Sequence, residues 1–278
     1  MLRYSLLACT LLSLTCLHAT SQEKTAMDYI KEAAAAAKAD DFEKAAALCG
    51  EAIQREPKRV SHLLQRGVYL ERAGKNQDAA RDFSRAIELD PENGDSYHLR
   101  GCVQFKLGKI AESIADFDKY LKIDPQRKSS HWQRGISCYY AGKFDEGKAQ
   151  FESYQKFDGN DVENAVWRFL CQAKKDGIDK ARKDMLKIDD DQRVPMKEVY
   201  DLFMGKLKPQ DVLDAAKNQK TVRNQTAPLF YAHLYLGLYF DAIGDRKKAL
   251  EHLNIATDDY RTYQYMWDVA RIHRDLLK

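Results

Sequence analysis

Three side chains could do chemistry as a group. His98 and Cys102 lie four residues apart and so share one face of a helix. A thiol beside an imidazole can become a nucleophile, and a cysteine with histidines can begin a metal site. Zinc asks for three protein ligands when catalytic and four when structural. His131 alone offers a third. The chain has no GxSxG, no phosphate-cradling glycine loop and no HExxH. The preferred reading is therefore no catalytic residue, no metal and no cofactor, with His98 and Cys102 as groove-lining side chains. An enzyme with a thiol site at Cys102 is the alternative.

A second set repeats. Arg66, Arg100 and Arg134 step by 34 residues, and Asp82 and Asp116 follow the first two by sixteen. One reading is a basic ladder for an acidic ligand. The favoured one is an Arg–Asp pair within each unit, because the aspartates track the arginines and a bidentate pair suits a partly buried site. Gln150 stands where the third aspartate would be, which leaves Arg134 freer to meet a ligand.

The elements that position these groups recur with the same step. Pro57, Pro91 and Pro125 keep it, as do Gly67, Gly101 and Gly135, then Gly74, Gly108 and Gly142, then Phe83, Phe117 and Phe151. The second glycine ends a first helix with positive φ. The proline closes a second one. A period of 34 with helical apolar spacing is the mark of stacked helical hairpins. These positions closely resemble the tetratricopeptide repeat over residues 26–161. The resemblance implies an all-α, right-handed superhelical solenoid of antiparallel helix pairs with a concave inner groove.

On the first helix of each unit, one face opposes the glycine-and-alanine packing side. It carries Leu64, Val68, Glu71 and Arg72 in repeat two. Repeat three gives His98, Cys102, Phe105 and Lys106, and repeat four gives Trp132, Ile136, Tyr139 and Tyr140. Aromatics with a few charges on a concave wall suit a protein or peptide ligand. Members of the family that hold chaperone C-termini use a clamp of lysines and asparagines there. Ile30, Ala34, Leu64 and Val68 stand at those places, so an EEVD-type tail is disfavoured.

Residues 162–229 read as degenerate helical repeats, with a turn at Asp176-Gly177, prolines at two helix starts and a weak glycosylation sequon at Asn224. Residues 230–278 read as one more repeat, marked by Gly237 and Gly244, and a C-terminal capping helix from about Thr262 to Leu277. That helix has Met266, Val269, Ala270, His273 and Leu277 on one face and Asp268, Arg271, Arg274 and Asp275 on the other. Residues 228–237 and 265–268 are similar to the last repeats of NlpI-type bacterial lipoprotein adaptors, which implies a periplasmic, dimeric adaptor.

Arg3 followed by the apolar run Tyr4–Leu17 reads as a signal peptide over residues 1–21, so export to a periplasmic or secreted location is expected. A membrane enters only if that segment is retained or Cys16 is lipidated, and Ser13-Leu14-Thr15 fits the lipoprotein pattern poorly. The 278 residues carry a formal charge of +3, which gives no electrostatic case for nucleic acid. Cys49 takes an aromatic's place at a core position and reads as a buried thiol. The function expected is a non-catalytic scaffold or adaptor holding a protein or peptide in its groove. A self-assembling structural envelope protein is the alternative.

Overall fold

A computed structural model describes residues 23–218, 226–261 and 264–278. The signal segment, most of the sequon at Asn224 and the first residues of the expected last helix lie outside them. Within the described residues there is no strand.

Eight helices form four antiparallel pairs: α1 (Ala26–Lys38) with α2 (Phe42–Arg55), α3 (Val60–Arg72) with α4 (Asn76–Leu89), α5 (Gly94–Lys106) with α6 (Ile110–Ile123), and α7 (Trp132–Tyr140) with α8 (Phe144–Tyr154). The pairs stack in chain order into a right-handed solenoid. Each pair is held by one recurring contact. A Cβ on Gly67, Gly101 or Gly135 would lie 2.4–2.6 Å from a ring carbon of Phe83, Phe117 or Phe151, sixteen residues on. Glycine costs a helix interior about 1 kcal/mol, and here it lets a buried ring approach the neighbouring backbone closely. In repeat one Ala33 and Cys49, both fully buried, take the two places. In the last unit Gly237 meets Leu253 instead. Gly74 ends α3 at φ +77°, a conformation an L side chain rarely adopts.

The arginines behave as pairs. Arg66 donates to both carboxylate oxygens of Asp82 at 2.6 and 2.7 Å, and Arg100 to those of Asp116 at 2.7 and 2.8 Å. Arg134 is not free, contrary to expectation. It donates to Asp118 at 2.6 Å and to Glu146 at 3.0 Å, while Gln150 turns to the Lys128 carbonyl at 2.7 Å.

Beyond the regular repeats come α9 (Val162–Asp176), α10 (Ile178–Lys183), α11 (Met196–Phe203) and α12 (Pro209–Lys217). Arg168 keeps the 34-residue step of the arginines. It donates to the Asp184 carbonyl, sixteen residues on, at 2.6 Å. Ala181 lies on α10, and Met185 and Ile188 lie past its end. Next is α13 (Thr226–Ala242), buried on nearly every side from Leu229 to Phe240. It pairs with α14 (Arg246–Asp258) and also touches α9, α11 and α12. Last is α15 (Tyr265–Leu276), which packs on α14 and reaches back to α5. Among the described residues no helix is long and apolar enough to cross a membrane.

Candidate functional site

The capping helix does more than close the stack. It lies on the inner face of repeats three and four and fills the groove the sequence promised there. Phe105 stacks on Tyr265 with centroids 5.0 Å apart and planes at 20°, and Trp132 meets the same ring edge-on at 5.2 Å. The Tyr140 hydroxyl hydrogen-bonds His273 Nδ1 at 3.1 Å. Arg271 donates to the Lys106 carbonyl at 2.6 Å. The Lys106 ammonium bridges Glu71 and Asp268, the latter at 3.1 Å. Burial depresses the Lys106 pKa, but the two carboxylates outweigh it and hold the group above its ordinary value. Asp268, expected on a polar face, is consequently buried.

Six of the expected groove residues are thus not available as an open wall. Phe105, Ile136 and Tyr139 are core residues, Lys106 is locked in an ion triad, and Trp132 and Tyr140 are covered by α15. The physical reason is plain. Aromatics at helical spacing on a concave surface bury themselves on whatever apolar helix is nearest, and here the chain supplies one.

His98 and Cys102 are spent between repeats. His98 contacts the rings of Phe117, Tyr120 and His131, and its Nδ1 lies 3.1 Å from His131 Nε2. The Cys102 sulfur lies 3.9 Å from His98 Nε2. Burial pushes the Cys102 thiol up to about 12, and burial also lowers the His98 pKa. A thiol that stays protonated beside a neutral imidazole is a poor nucleophile. Among the described residues no group of three His, Cys, Asp or Glu side chains converges as metal ligands.

Leu64, Val68 and Arg72 remain. They hold the same places one period earlier, on α3, at the edge of what α15 covers. Leu64 and Val68 are half-buried and Arg72 is exposed, its guanidinium 5.8 Å from the Phe42 ring. Arg72 also borders an open cleft of about 560 Å³ with Asp40, Glu43, Trp267 and Arg271 around it. Charges of both signs line this cleft. Sequence reasoning missed the far wall, Trp267 and Arg271, because it belongs to a helix 160 or more residues away. The aromatic Trp267 on the otherwise polar side of α15 was the one available signal.

Residues 30–93 and 64–128 match the family model described as tetratricopeptide repeat. No protein of curated function matches the chain by sequence. Among solved structures, a tetratricopeptide repeat protein from Parabacteroides merdae shares 15% identity at a TM-score of 0.59, covering 91% of this chain and 98% of its own. YrrB, described as a TPR protein with an unusual peptide-binding site, shares 20% at a TM-score of 0.50, covering 57% and 85%. MamA shares 15% at 0.52, covering 66% and 94%. The family model thus covers residues 30–128, and the fold shared with the Parabacteroides merdae protein extends over most of the chain.

Proposed function

We propose that the protein is an exported scaffold that holds a protein or peptide partner on the open part of its inner face. The contact surface is Leu64, Val68 and Arg72 with the adjoining cleft. The observation that carries this reading is α15 itself. The inner face of α5 and α7 holds an amphipathic helix, while on the matching face of α3, among the described residues, Leu64 and Val68 are half-buried and Arg72 is exposed. A partner helix lying beside α15 would complete the groove, the helix-in-groove mode of recognition. The mixed charges of the cleft would select its ends, giving specificity more than affinity.

Export rests on the basic and apolar N-terminal segment. The likeness of residues 228–237 and 265–268 to NlpI-type adaptors points the same way and is part of the proposal. Membrane attachment would come only through that segment.

Site-specific photo-crosslinking tests the reading. A photoreactive residue at position 72, in protein recovered from the native exported fraction, should join a partner chain. The same residue at position 102, between repeats and beside α15, should not. Equal yields from both positions would overturn the assignment. Crosslinks from position 72 only to further copies of this chain would replace the adaptor with self-assembly, which light scattering would register as growth with concentration.

A further inference from the structure

A second cavity, of about 230 Å³, lies where α7, α8, α9, α13 and α15 meet. Aromatic side chains make up much of its wall: Trp132, Phe151, Tyr154, Trp167 and Tyr231 line it. The lining grades from buried Ile136 and Met266 through half-buried Tyr231 to exposed Arg193, so the cavity opens to solvent on the Arg193 side.

That open side carries an excess of negative charge. Asp161 and Glu163 line the cavity beside Arg193, and Asp191 backs them. Arg193 pairs with all three carboxylates at 2.6–2.7 Å, and among the described residues no second cation pairs with any of them. One positive charge against three negative ones leaves the ionised cluster short of neutral.

Hydrogen-bond donors, by contrast, are already supplied. Glu163 accepts from Arg193 on one oxygen and from the Tyr235 hydroxyl, at 2.6 Å, on the other. Asp191 accepts from Arg193 on both oxygens and from the Val162 N–H at 3.1 Å. Asp161 accepts from Arg193 and from the Glu163 N–H at 3.0 Å. The site lacks positive charge rather than donors. A ligand with N–H groups would compete for lone pairs in use. A cation whose charge is carried on methyl groups needs none, and aromatic π-systems attract it.

We propose that this cavity is a binding site for a small methylated ammonium, in which methyl groups replace the hydrogens on nitrogen. The aromatic walls supply apolar contact and quadrupole attraction, and Asp161 and Glu163 supply the field at the mouth. No bond is made or broken. The cavity and the charge imbalance are independent observations: without the rings the carboxylates would be an ordinary acidic patch. A bare metal ion is disfavoured, because among the described residues no three such side chains converge as ligands. The site is separate from the cleft at Arg72 and does not rest on the scaffold reading.

Choline is the probe. Its neutral isostere 3,3-dimethylbutan-1-ol has a carbon in place of the nitrogen, and ethanolamine carries the same charge on N–H bonds. Burial brings the Glu163 pKa up to about 7, so isothermal titrations of the full-length protein at about pH 8 keep that carboxylate ionised. Choline should bind at least about tenfold more tightly than either comparator. In protein labelled with 15N it should shift the Trp132 and Trp167 indole resonances. The Trp267 indole, which lines the other cleft and donates to the Thr257 carbonyl at 3.2 Å, should stay in place. Glu163→Gln removes one charge while keeping a side chain that can bond Arg193 and Tyr235. It should weaken choline by about tenfold and leave the neutral alcohol unchanged. The alcohol binding as tightly as choline would mean an apolar pocket and nothing more, and overturns the proposal. So does ethanolamine as the tightest ligand, which would mean that the carboxylates act without the rings. Binding of none of the three, or a shift at Trp267 alone, overturns it as well. Should Glu163→Gln fail to fold, the rank order and the wild-type resonances still decide.

Discussion

Arg72 and Lys106 occupy the same place in successive repeats, the last residue of the first helix, 34 residues apart. One is exposed and lies beside a phenylalanine ring. The other is 9% exposed and bound to two carboxylates. Their local sequences place both on the inner face. What separates them is a helix that arrives from the far end of the chain and covers one position but not the other. The repeat sets where a side chain points. The partner across the groove sets what that side chain does. In the covered half the partner is internal and the face has become core. In the open half the same face stays half-buried at Leu64 and Val68 and exposed at Arg72.

Removing α15 should break this contrast by the largest margin. Truncation before residue 264 strips the cover from Phe105, Trp132 and Tyr140. At about 1.5–3 kcal/mol for each large apolar side chain, the covered half should lose about 5 kcal/mol. Hydrogen exchange reads it directly: amides of α5 and α7 lose protection, and those of α1 to α4 do not. Uniform loss over all eight helices would mean that the two halves are one cooperative unit.

Lys106→Ala comes next. It leaves Glu71 without its cation and Asp268 with Arg271 alone, at 3.1 Å. Breaking a buried pair costs about 3–5 kcal/mol, and the partial exposure of Glu71 puts the expected loss near the lower figure. Chemical denaturation measures it. A smaller loss than from Gly101→Leu would show that the triad is solvated. Gly101→Leu drives a side chain into the Phe117 ring, and overpacking of this kind costs about 1–3 kcal/mol. Because the same glycine–phenylalanine contact recurs in repeat two, Gly67→Leu should cost a similar amount. A large inequality would show that the covered half is held by α15 rather than by its own hairpins.

Acid should act on the covered half through His131. Burial, and then the neighbouring His98, bring its pKa down to about 3. The unfolded chain takes up that proton near pH 6.5, so between about pH 6.5 and 3 the unfolded state binds more protons. Stability therefore rises with pH across that window and is lost on acidification. The melting temperature should fall from pH 7 to pH 4. His131→Asn keeps a side-chain acceptor for the Arg134 N–H at the start of α7 and removes the titration. Its melting temperature should vary less with pH. Some slope should persist, because His233, in the last unit, is brought down to about 4 by burial and by His252. A slope unchanged in His131→Asn would locate the acid response elsewhere.

The hairpins α1 to α8 were legible because their determinants are local and periodic. A glycine meets a phenylalanine sixteen residues on, an arginine meets an aspartate at the same distance, and a proline or glycine follows most of the helices, Asp40 at φ +58° taking the glycine's place after α1. The docking of α15 was not legible for the opposite reason. The bond from Arg271 to the Lys106 carbonyl joins residues 165 apart, and a backbone carbonyl carries no sequence signature. Two hints were present. A helix apolar on every side, as α13 is, must have neighbours beyond its own pair. Arg168 kept the period in a segment that otherwise looked irregular.

The smallest effect on stability is the most informative about the comparison. Arg72→Ala removes an exposed side chain that lies beside the Phe42 ring. Surface changes of this kind stay within about 0.5 kcal/mol, so the melting temperature should barely move. Its partner across the period, Lys106→Ala, should by contrast cost several times as much. Binding should reverse the order of importance. Arginine is among the usual anchors of protein interfaces, and a partner seated on α3 would lose about 1–3 kcal/mol of affinity with Arg72 gone. Isothermal titration with the crosslinked partner, once recovered, measures the loss. An Arg72→Ala protein as stable as the parent and binding as tightly would mean that the open half is surface and nothing more. An unstable one would mean that the open half is covered after all.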